Sequence, residues 1–254
     1  ETRRRDLKRL ATIRASSMSE HHFPKLAVRA GQSPTIQENP PLIYHPRVQG
    51  EDSIDVLVRE SFAGYRKSLP EDRRALLDRF DLADVALKVV GVGSVGTWCA
   101  VALMTAGEKD HLFLQMKEAG PSVLEAYAGR SIYPNHGQRV VNGCRLMQSA
   151  SDILLGWGKT RLDRHFYVRQ LRDMKMGAPV EQFSSGEMIR YADFCGWTLA
   201  RAHARSGGAA PISGYLGKSD TFDTAIAAFA KAYADQTERD HAIFKEAVRS
   251  GRVE

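Results

Sequence analysis

The chain has 254 residues, of which 43% are hydrophobic, and it carries a formal net charge of +6. This length and apolar content allow a substantial core, in one large domain or in two lobes, so we expect a globular protein. No apolar run approaches the roughly 20 residues that cross a bilayer, and the sequence therefore predicts no membrane span.

Three cysteines, Cys99, Cys144 and Cys195, are widely spaced and lie in apolar surroundings. This pattern is typical of reduced core thiols in a cytoplasmic protein and argues against a zinc site or a disulfide framework. The first residue is Glu1, and no secretory signal follows it. We therefore expect a cytoplasmic chain that comes from an incomplete reading frame.

Residues 1–50 are predicted to form a basic helix, ending near residue 15, and then a polar connector. Ser16–Pro46 is rich in Pro, Ser and His, and Asn39-Pro40-Pro41 argues against regular structure there. The positive charge suits anionic partners such as nucleotides, but only Arg3-Arg4-Arg5 forms the start of a cluster, so nucleic-acid binding is not favoured. That cluster is either a solvated helix start or a contact to a partner.

The middle of the chain combines helices with a sheet. In residues 51–83 apolar positions recur at helical spacing and Pro70 opens a second segment, so two helices are predicted. Residues 84–176 are predicted to form a lobe with four strands and one helix. The predicted strands are Val85–Val90, Trp98–Met104, Leu112–Met116 and His165–Leu171. The predicted helix is Gln138–Ala150. The connection between the second and third strands is too short for a crossover helix, so we expect antiparallel pairing.

Residues 177–254 are predicted to form an all-helical lobe. Apolar side chains recur there at intervals of three and four residues. By this spacing the predicted core residues are Met188, Phe194, Trp197, Phe222 and Phe229.

A glycine-rich string, Gly91-Val92-Gly93-Ser94-Val95-Gly96, follows the first predicted strand of the lobe and fits the pattern G-x-G-x-x-G. This pattern often occurs by chance, so the flanking elements decide its meaning. A dinucleotide-binding loop requires a helix directly after the third glycine, whereas Thr97–Val101 has the β-branched and aromatic composition of a strand. A P-loop requires a lysine directly after its last glycine, and Thr97 stands there. The first alternative is disfavoured and the second is excluded.

The remaining alternative is the protein-kinase arrangement, in which a glycine loop between two strands covers the nucleotide phosphates and the next strand supplies a lysine. Lys117 ends the third predicted strand. A charged group at that position needs an anion or a carboxylate as its partner. Glu125 is predicted to orient Lys117, with Glu118 as the alternative carboxylate. An ordinary edge-strand lysine and a solvated glutamate remain open as the other interpretation.

The strand His165–Leu171 is expected to lead into a hinge, where backbone groups from Gln170 to Asp173 meet an adenine edge. The expected ligand is ATP with Mg. The predicted nucleotide-binding residues are Gly91, Gly93, Ser94, Val95, Gly96, Lys117, Glu125 and Gln170.

Four strings of the chain closely resemble the bacterial family known as domain of unknown function 2252, and the resemblance extends from about Arg3 to the C-terminus. The strings are Lys88–Thr97, Phe113–Ala119, Leu199–Gly207 and Tyr233–His241. That family resembles the protein-kinase-like superfamily, and its full-length members carry the motifs G-D-x-H-x-x-N and D-F-D upstream of the region matched here. These motifs look like a catalytic loop and a metal-binding aspartate, and neither occurs in the 254 residues.

The resemblance implies an α+β, protein-kinase-like fold, permuted and incomplete, with an antiparallel β-sheet lobe that carries the glycine-rich hairpin and an α-helical lobe. The function it implies is ATP binding within a phosphotransferase whose acceptor substrate is unknown. The catalytic loop and the metal-binding aspartate are expected to lie outside this chain. The alternative is a non-catalytic nucleotide-binding or interaction module.

Overall fold

The computed structural model of the protein describes residues 27–30, 33–46, 53–91, 94, 96–107, 110–171 and 178–253. The predicted basic helix of residues 1–15 lies outside them. The strands of the described residues are β1 (Ala27–Ala30), β2 (Ser33–Ile36), β3 (Ile43–Tyr44), β4 (Asp81–Lys88), β5 (Cys99–Ala106), β6 (Asp110–Glu118), β7 (Gly156–Lys159) and β8 (His165–Gln170).

The prediction of an irregular connector at Ser16–Pro46 is wrong for the described part of that segment. β1 and β2 form an antiparallel hairpin, and β3 pairs with β4. Pro34 lies within β2, in a two-stranded sheet where each strand is an edge strand. Proline is tolerated at such an edge because its missing N–H group costs no ladder hydrogen bond on the solvent side. The prolines therefore limit the length of the strands in this segment without preventing them.

Six strands form one antiparallel sheet in the order β3-β4-β5-β6-β8-β7. The predicted antiparallel pairing is confirmed, since β5 and β6 pair in register from Cys99 with Lys117 to Ala106 with Asp110. β7 was not predicted, because its sequence Gly-Trp-Gly-Lys lacks the usual strand composition. The glycines have a packing role: a Cβ on Gly158 would lie 2.7 Å from the Phe166 ring. Glycine is therefore required where β7 crosses this ring.

The helices are α1 (Ile54–Ser68), α2 (Glu71–Leu77), α3 (Glu125–Ala128), α4 (His136–Met147), α5 (Ser185–Arg205), α6 (Ala209–Leu216) and α7 (Thr221–Arg249). The two helices predicted in residues 51–83 are confirmed as α1 and α2, and the helix predicted at Gln138–Ala150 as α4. Asn135 caps α4, accepting a hydrogen bond from the Gln138 N–H at 3.0 Å.

α1 packs against one face of the sheet, which we call the apolar face. Its core residues include Val58 and Tyr65 of α1 together with Leu114, Met116 and Phe166 of the sheet. The buried hydroxyl of Tyr65 donates a hydrogen bond of 2.8 Å to the Leu154 carbonyl oxygen. Burial raises the pKa of Tyr65 far above its usual range, so the hydroxyl keeps its proton.

The opposite face, which we call the mixed face, has two different ends. At one end Leu103 and Phe113 pack against Ala27 of β1 and Ile36 of β2. Asp84 of β4 links this hairpin to the sheet, because its Oδ2 accepts a hydrogen bond of 2.6 Å from the Ile36 N–H. The other end, which we call the polar end, carries Cys99, Gln115, Lys117, Tyr167 and Arg169.

The chain divides into two units, Glu1–Ala202 and His203–Glu254, with the division inside α5. The residues predicted as core in the C-terminal helices are exposed, which corrects that prediction. They are Met188, Phe194, Trp197, Phe222 and Phe229. Helical spacing identifies an apolar stripe on a helix but not what covers it. Among the described helices, none is long and apolar enough to span a bilayer.

Candidate functional site

The glycine-rich loop lies between β4 and β5. The Ser94 N–H donates to the Gly91 carbonyl oxygen at 2.9 Å, and the Thr97 N–H donates to the Ser94 carbonyl oxygen at 3.1 Å. Gly96 has a φ of 78°, in the left-handed region that favours glycine. Gly93 and Val95, two of the predicted phosphate-binding residues, lie outside the described residues.

A cleft of about 430 Å³, which we call the glycine-loop cleft, lies beside this loop. Its lining residues include Lys88, Ser94, Gly96, Trp98, Cys99 and Arg164. The volume falls in the range of roughly 300–1,000 Å³ that is usual for small-molecule sites. Two of the predicted residues, Ser94 and Gly96, thus line a cleft that also has lysine and arginine side chains in its wall.

Lys117 lies on β6 at the polar end of the mixed face. The strand register places it directly opposite Cys99 on one side and directly opposite Tyr167 on the other. Directly opposed residues of antiparallel strands point to the same face, so these three side chains form a row across the sheet. Lys117 is half-buried, and within the described residues no carboxylate lies within ion-pair distance of it.

The carboxylates predicted to pair with Lys117 have other contacts. Glu125 begins α3, and its Oε1 accepts a hydrogen bond of 3.3 Å from the Ser122 N–H. Glu118 follows Lys117 and therefore points to the opposite face of the strand. There its carboxylate accepts from Arg164 Nη1 at 3.0 Å and from the Trp98 N–H at 3.1 Å. The structure therefore does not bring Lys117 together with either glutamate.

A side-chain network that the sequence reasoning missed lies next to Lys117. Gln115 Oε1 accepts hydrogen bonds from Arg169 Nε at 3.1 Å and from Arg169 Nη2 at 3.0 Å. The amide Nε2 of Gln115 donates to Cys99 Sγ at 3.4 Å. Gln115 is 3% exposed, and both ends of its amide have partners. The signal was available in principle, since Gln115 stands two positions before Lys117 on the same strand face.

A second cleft, of about 480 Å³, is lined by residues that include Cys144, Gln148, Asp152, Tyr167, Arg169 and Gln170. The predicted adenine-contacting residue Gln170 lies here, and its backbone N–H donates to Asp152 Oδ2 at 2.8 Å. The row described above runs from the glycine-loop cleft to the second cleft. Cys99 lines the first cleft, Tyr167 lines the second, and Lys117 lies between them.

The titratable neighbours of Lys117, which are Cys99 and Tyr167, add no negative charge to the polar end. Burial raises the pKa of the Cys99 thiol, and the nearby charge of Lys117 only partly opposes this shift. Burial also raises the pKa of Tyr167, again against the charge of Arg169. Both groups are therefore neutral near pH 7. The charges of the polar end come from Lys117 and Arg169, which is the electrostatic environment that an anion requires.

Among the described residues, no three His, Cys, Asp or Glu side chains come together in a way that could hold a metal ion. The motifs G-D-x-H-x-x-N and D-F-D are absent from the amino-acid sequence. By its chemistry, the arrangement can bind an anionic ligand between a glycine loop and a lysine.

A family model described as "Uncharacterized protein conserved in bacteria (DUF2252)" matches residues 1–247. No curated protein and no solved structure matches the chain. The family match covers nearly the whole sequence, including the glycine loop, Lys117 and the strands that position them. The chain therefore belongs to the bacterial family of domain of unknown function 2252.

Proposed function

We propose that the polar end of the mixed face binds the phosphates of a nucleotide, with ATP and Mg as the ligand. The observation that carries this proposal is Lys117, a half-buried lysine for which the described residues supply no carboxylate. Partial burial of a cation without a partner is unfavourable, and a bound anion reduces that cost. The glycine-loop cleft next to Lys117 offers backbone groups for the same anion.

The order of elements supports a kinase-like phosphotransferase. β4, the glycine loop and β5 are followed by β6, whose Lys117 lies opposite Cys99 at the start of β5. In protein kinases a glycine-rich loop covers the phosphates, and a lysine on the third strand contacts them. A dinucleotide-binding loop would require a helix after Gly96, whereas β5 follows. The chain would then supply the nucleotide-binding part of such an enzyme, with an acceptor substrate that is unknown.

A second candidate function is a nucleotide-binding or interaction module without catalysis. The observation that favours it is the lack of a metal-binding carboxylate group among the described residues. The two candidates separate when the protein is expressed from its complete reading frame and the phosphate released from Mg-ATP is measured. Phosphate release that the Lys117→Met change abolishes supports the phosphotransferase, whereas Mg-ATP binding without phosphate release supports the module.

Isothermal titration calorimetry with Mg-ATP tests the binding site itself. We expect Lys117→Met to weaken binding about tenfold or more, because a hydrogen-bonded charge contact to phosphate is lost. Lys231→Met is the matched control, since Lys231 is exposed on α7, and it should bind as the parent chain does. Equal Mg-ATP affinity for the parent and Lys117→Met would refute the role of Lys117.

A further inference from the structure

We propose that Arg169 is a second phosphate-binding cation of this site and that Gln115 positions its guanidinium group. The inference rests on the proposed nucleotide site and extends it to the class of ligand. Two cations at one end of the sheet select a ligand with several negative charges on adjacent groups, which is a di- or triphosphate.

The buried side chain of Gln115 holds the guanidinium of Arg169 in place. Its Oε1 accepts from Nε and from Nη2 of Arg169, at 3.1 and 3.0 Å, so that two N–H groups of one planar group converge on one oxygen. Gln115 itself is held by its 3.4 Å contact to Cys99 Sγ and by nearly complete burial. Arg169 is exposed, so its remaining N–H groups are accessible to a ligand.

Gln115 is uncharged, and this favours the binding of an anionic ligand at Arg169. A carboxylate in its place would orient Arg169 equally well but would neutralise its charge. An amide orients the guanidinium and adds no negative charge beside it. In the described residues no carboxylate lies within ion-pair distance of Arg169. The guanidinium is therefore both held in place and available to an anion, which is how arginine binds phosphate.

The register allows Arg169 and Lys117 to act on the same ligand. Gln115 pairs directly with Arg169, and Lys117 pairs directly with Tyr167, so Lys117 and Arg169 are diagonal neighbours on adjacent strands. Diagonal neighbours are separated by about 7–8 Å, which two long side chains span with ease. Cys99 is influenced by the charges of both residues, which agrees with their convergence on the same end of the sheet. A chain of two or three phosphates has the charge to engage both cations.

The test titrates inorganic tripolyphosphate into the 254-residue chain by calorimetry, without a nucleoside. We expect Arg169→Gln to weaken tripolyphosphate binding about tenfold or more, as the loss of a charged contact to phosphate requires. Gln115→Glu should weaken it comparably, because the new carboxylate neutralises Arg169 without removing it. Arg130→Gln is the control, since Arg130 is exposed and lies outside the strands, and it should bind as the parent chain does.

The outcomes separate the inference from the proposed function. Unchanged tripolyphosphate binding by Arg169→Gln, while Lys117→Met weakens it, would overturn the role of Arg169 and leave the nucleotide site in place. Unchanged binding by both variants would overturn both proposals. If Gln115→Glu fails to fold, the Arg169→Gln titration alone decides, because the altered side chain is exposed and should not disturb the core.

Discussion

The two faces of the six-stranded sheet are built from the same strands but carry different chemistry. On β6, Leu114 and Met116 point into the core under α1, while Gln115 and Lys117 point to the polar end of the mixed face. Side chains of a strand alternate between its faces, so neighbouring residues serve a core and a site at the same time. The packing of the apolar face and the chemistry of the polar end are therefore separable by mutation.

The largest expected effect is on the apolar face. Phe166→Ala removes a ring that is 0% exposed and should lower the free energy of unfolding by roughly 3–5 kcal/mol. Chemical denaturation monitored by circular dichroism measures it. Phe194→Ala is the control, since this ring is 60% exposed, and it should change stability by less than about 0.5 kcal/mol. Equal effects of the two changes would contradict the assignment of the core.

A smaller effect is expected where α4 approaches the sheet. A Cβ on Gly137 would lie 2.1 Å from the Phe166 carbonyl oxygen, so Gly137→Ala should destabilise the protein by roughly 1–3 kcal/mol through overpacking. Gly143 lies in the same helix with nothing within 4 Å of its Cβ position. Gly143→Ala should therefore stabilise by roughly 0.5–1 kcal/mol through helix propensity. Thermal unfolding of both variants measures the contrast, and effects of the same sign would contradict the close packing of α4.

The hydroxyl of Tyr65 should contribute less than either packing contact. Tyr65→Phe leaves the Leu154 carbonyl oxygen without its 2.8 Å hydrogen bond, and we expect a loss of roughly 1–2 kcal/mol in unfolding free energy. Tyr127→Phe serves for comparison, because Tyr127 is 90% exposed, and it should have no measurable effect on urea unfolding. A Tyr65→Phe protein as stable as the parent would show that this bond adds nothing to the apolar face.

The smallest expected effect is a pH dependence at the hairpin end of the mixed face. Burial alone would lower the pKa of His45, but hydrogen bonds to Glu38 and Asp84 outweigh burial and hold the pKa above its ordinary value of 6.5. A raised pKa means that the folded state binds the proton more tightly. This stabilisation is complete below about pH 6.5 and is lost as the pH rises through the folded-state pKa of His45.

Urea unfolding at a series of pH values between 6 and 9 measures this dependence. For the parent chain the part of the unfolding free energy due to His45 should fall with rising pH by no more than about 1 kcal/mol, as for a partly exposed ion pair. His45→Gln should show a flatter profile over the same range. A parent profile that rises with pH, with the variant unchanged, would contradict the coupling of His45 to Asp84.

The sequence predicted the elements that have clear local patterns. The strand runs around the glycine loop, the two helices of residues 51–83 and the antiparallel order are confirmed. β3 and β7 were missed because one has two residues and the other contains two glycines, so neither has a recognisable period. The ion pair between His45 and Asp84 was also missed, since no role for His45 was predicted from the sequence.

The candidate site was predictable only where a motif marks it. Ser94, Gly96 and Lys117 were predicted as site residues because the spacing of the glycines and of a strand lysine is visible in the sequence itself. Arg169 lies 54 positions after its partner Gln115, and their contact depends on the register between β6 and β8. Glu125 was predicted to pair with Lys117 because it is near in sequence, but it accepts a local hydrogen bond from the Ser122 N–H instead. β6 and β8 are far apart in sequence, so no local pattern reveals which of their residues are paired.

Phosphate binding at the polar end is tested by following consecutive residues of β6 by NMR during a titration with Mg-ATP. We predict that the side-chain amide of Gln115 and the side-chain signals of Lys117 shift with the ligand, because they lie at the polar end of the mixed face. The methyl groups of Leu114 and Met116, on the apolar face, should stay nearly unchanged. Shifts confined to Leu114 and Met116, or saturation with Mg-ATP without any shift at Gln115 and Lys117, would contradict phosphate binding at the polar end.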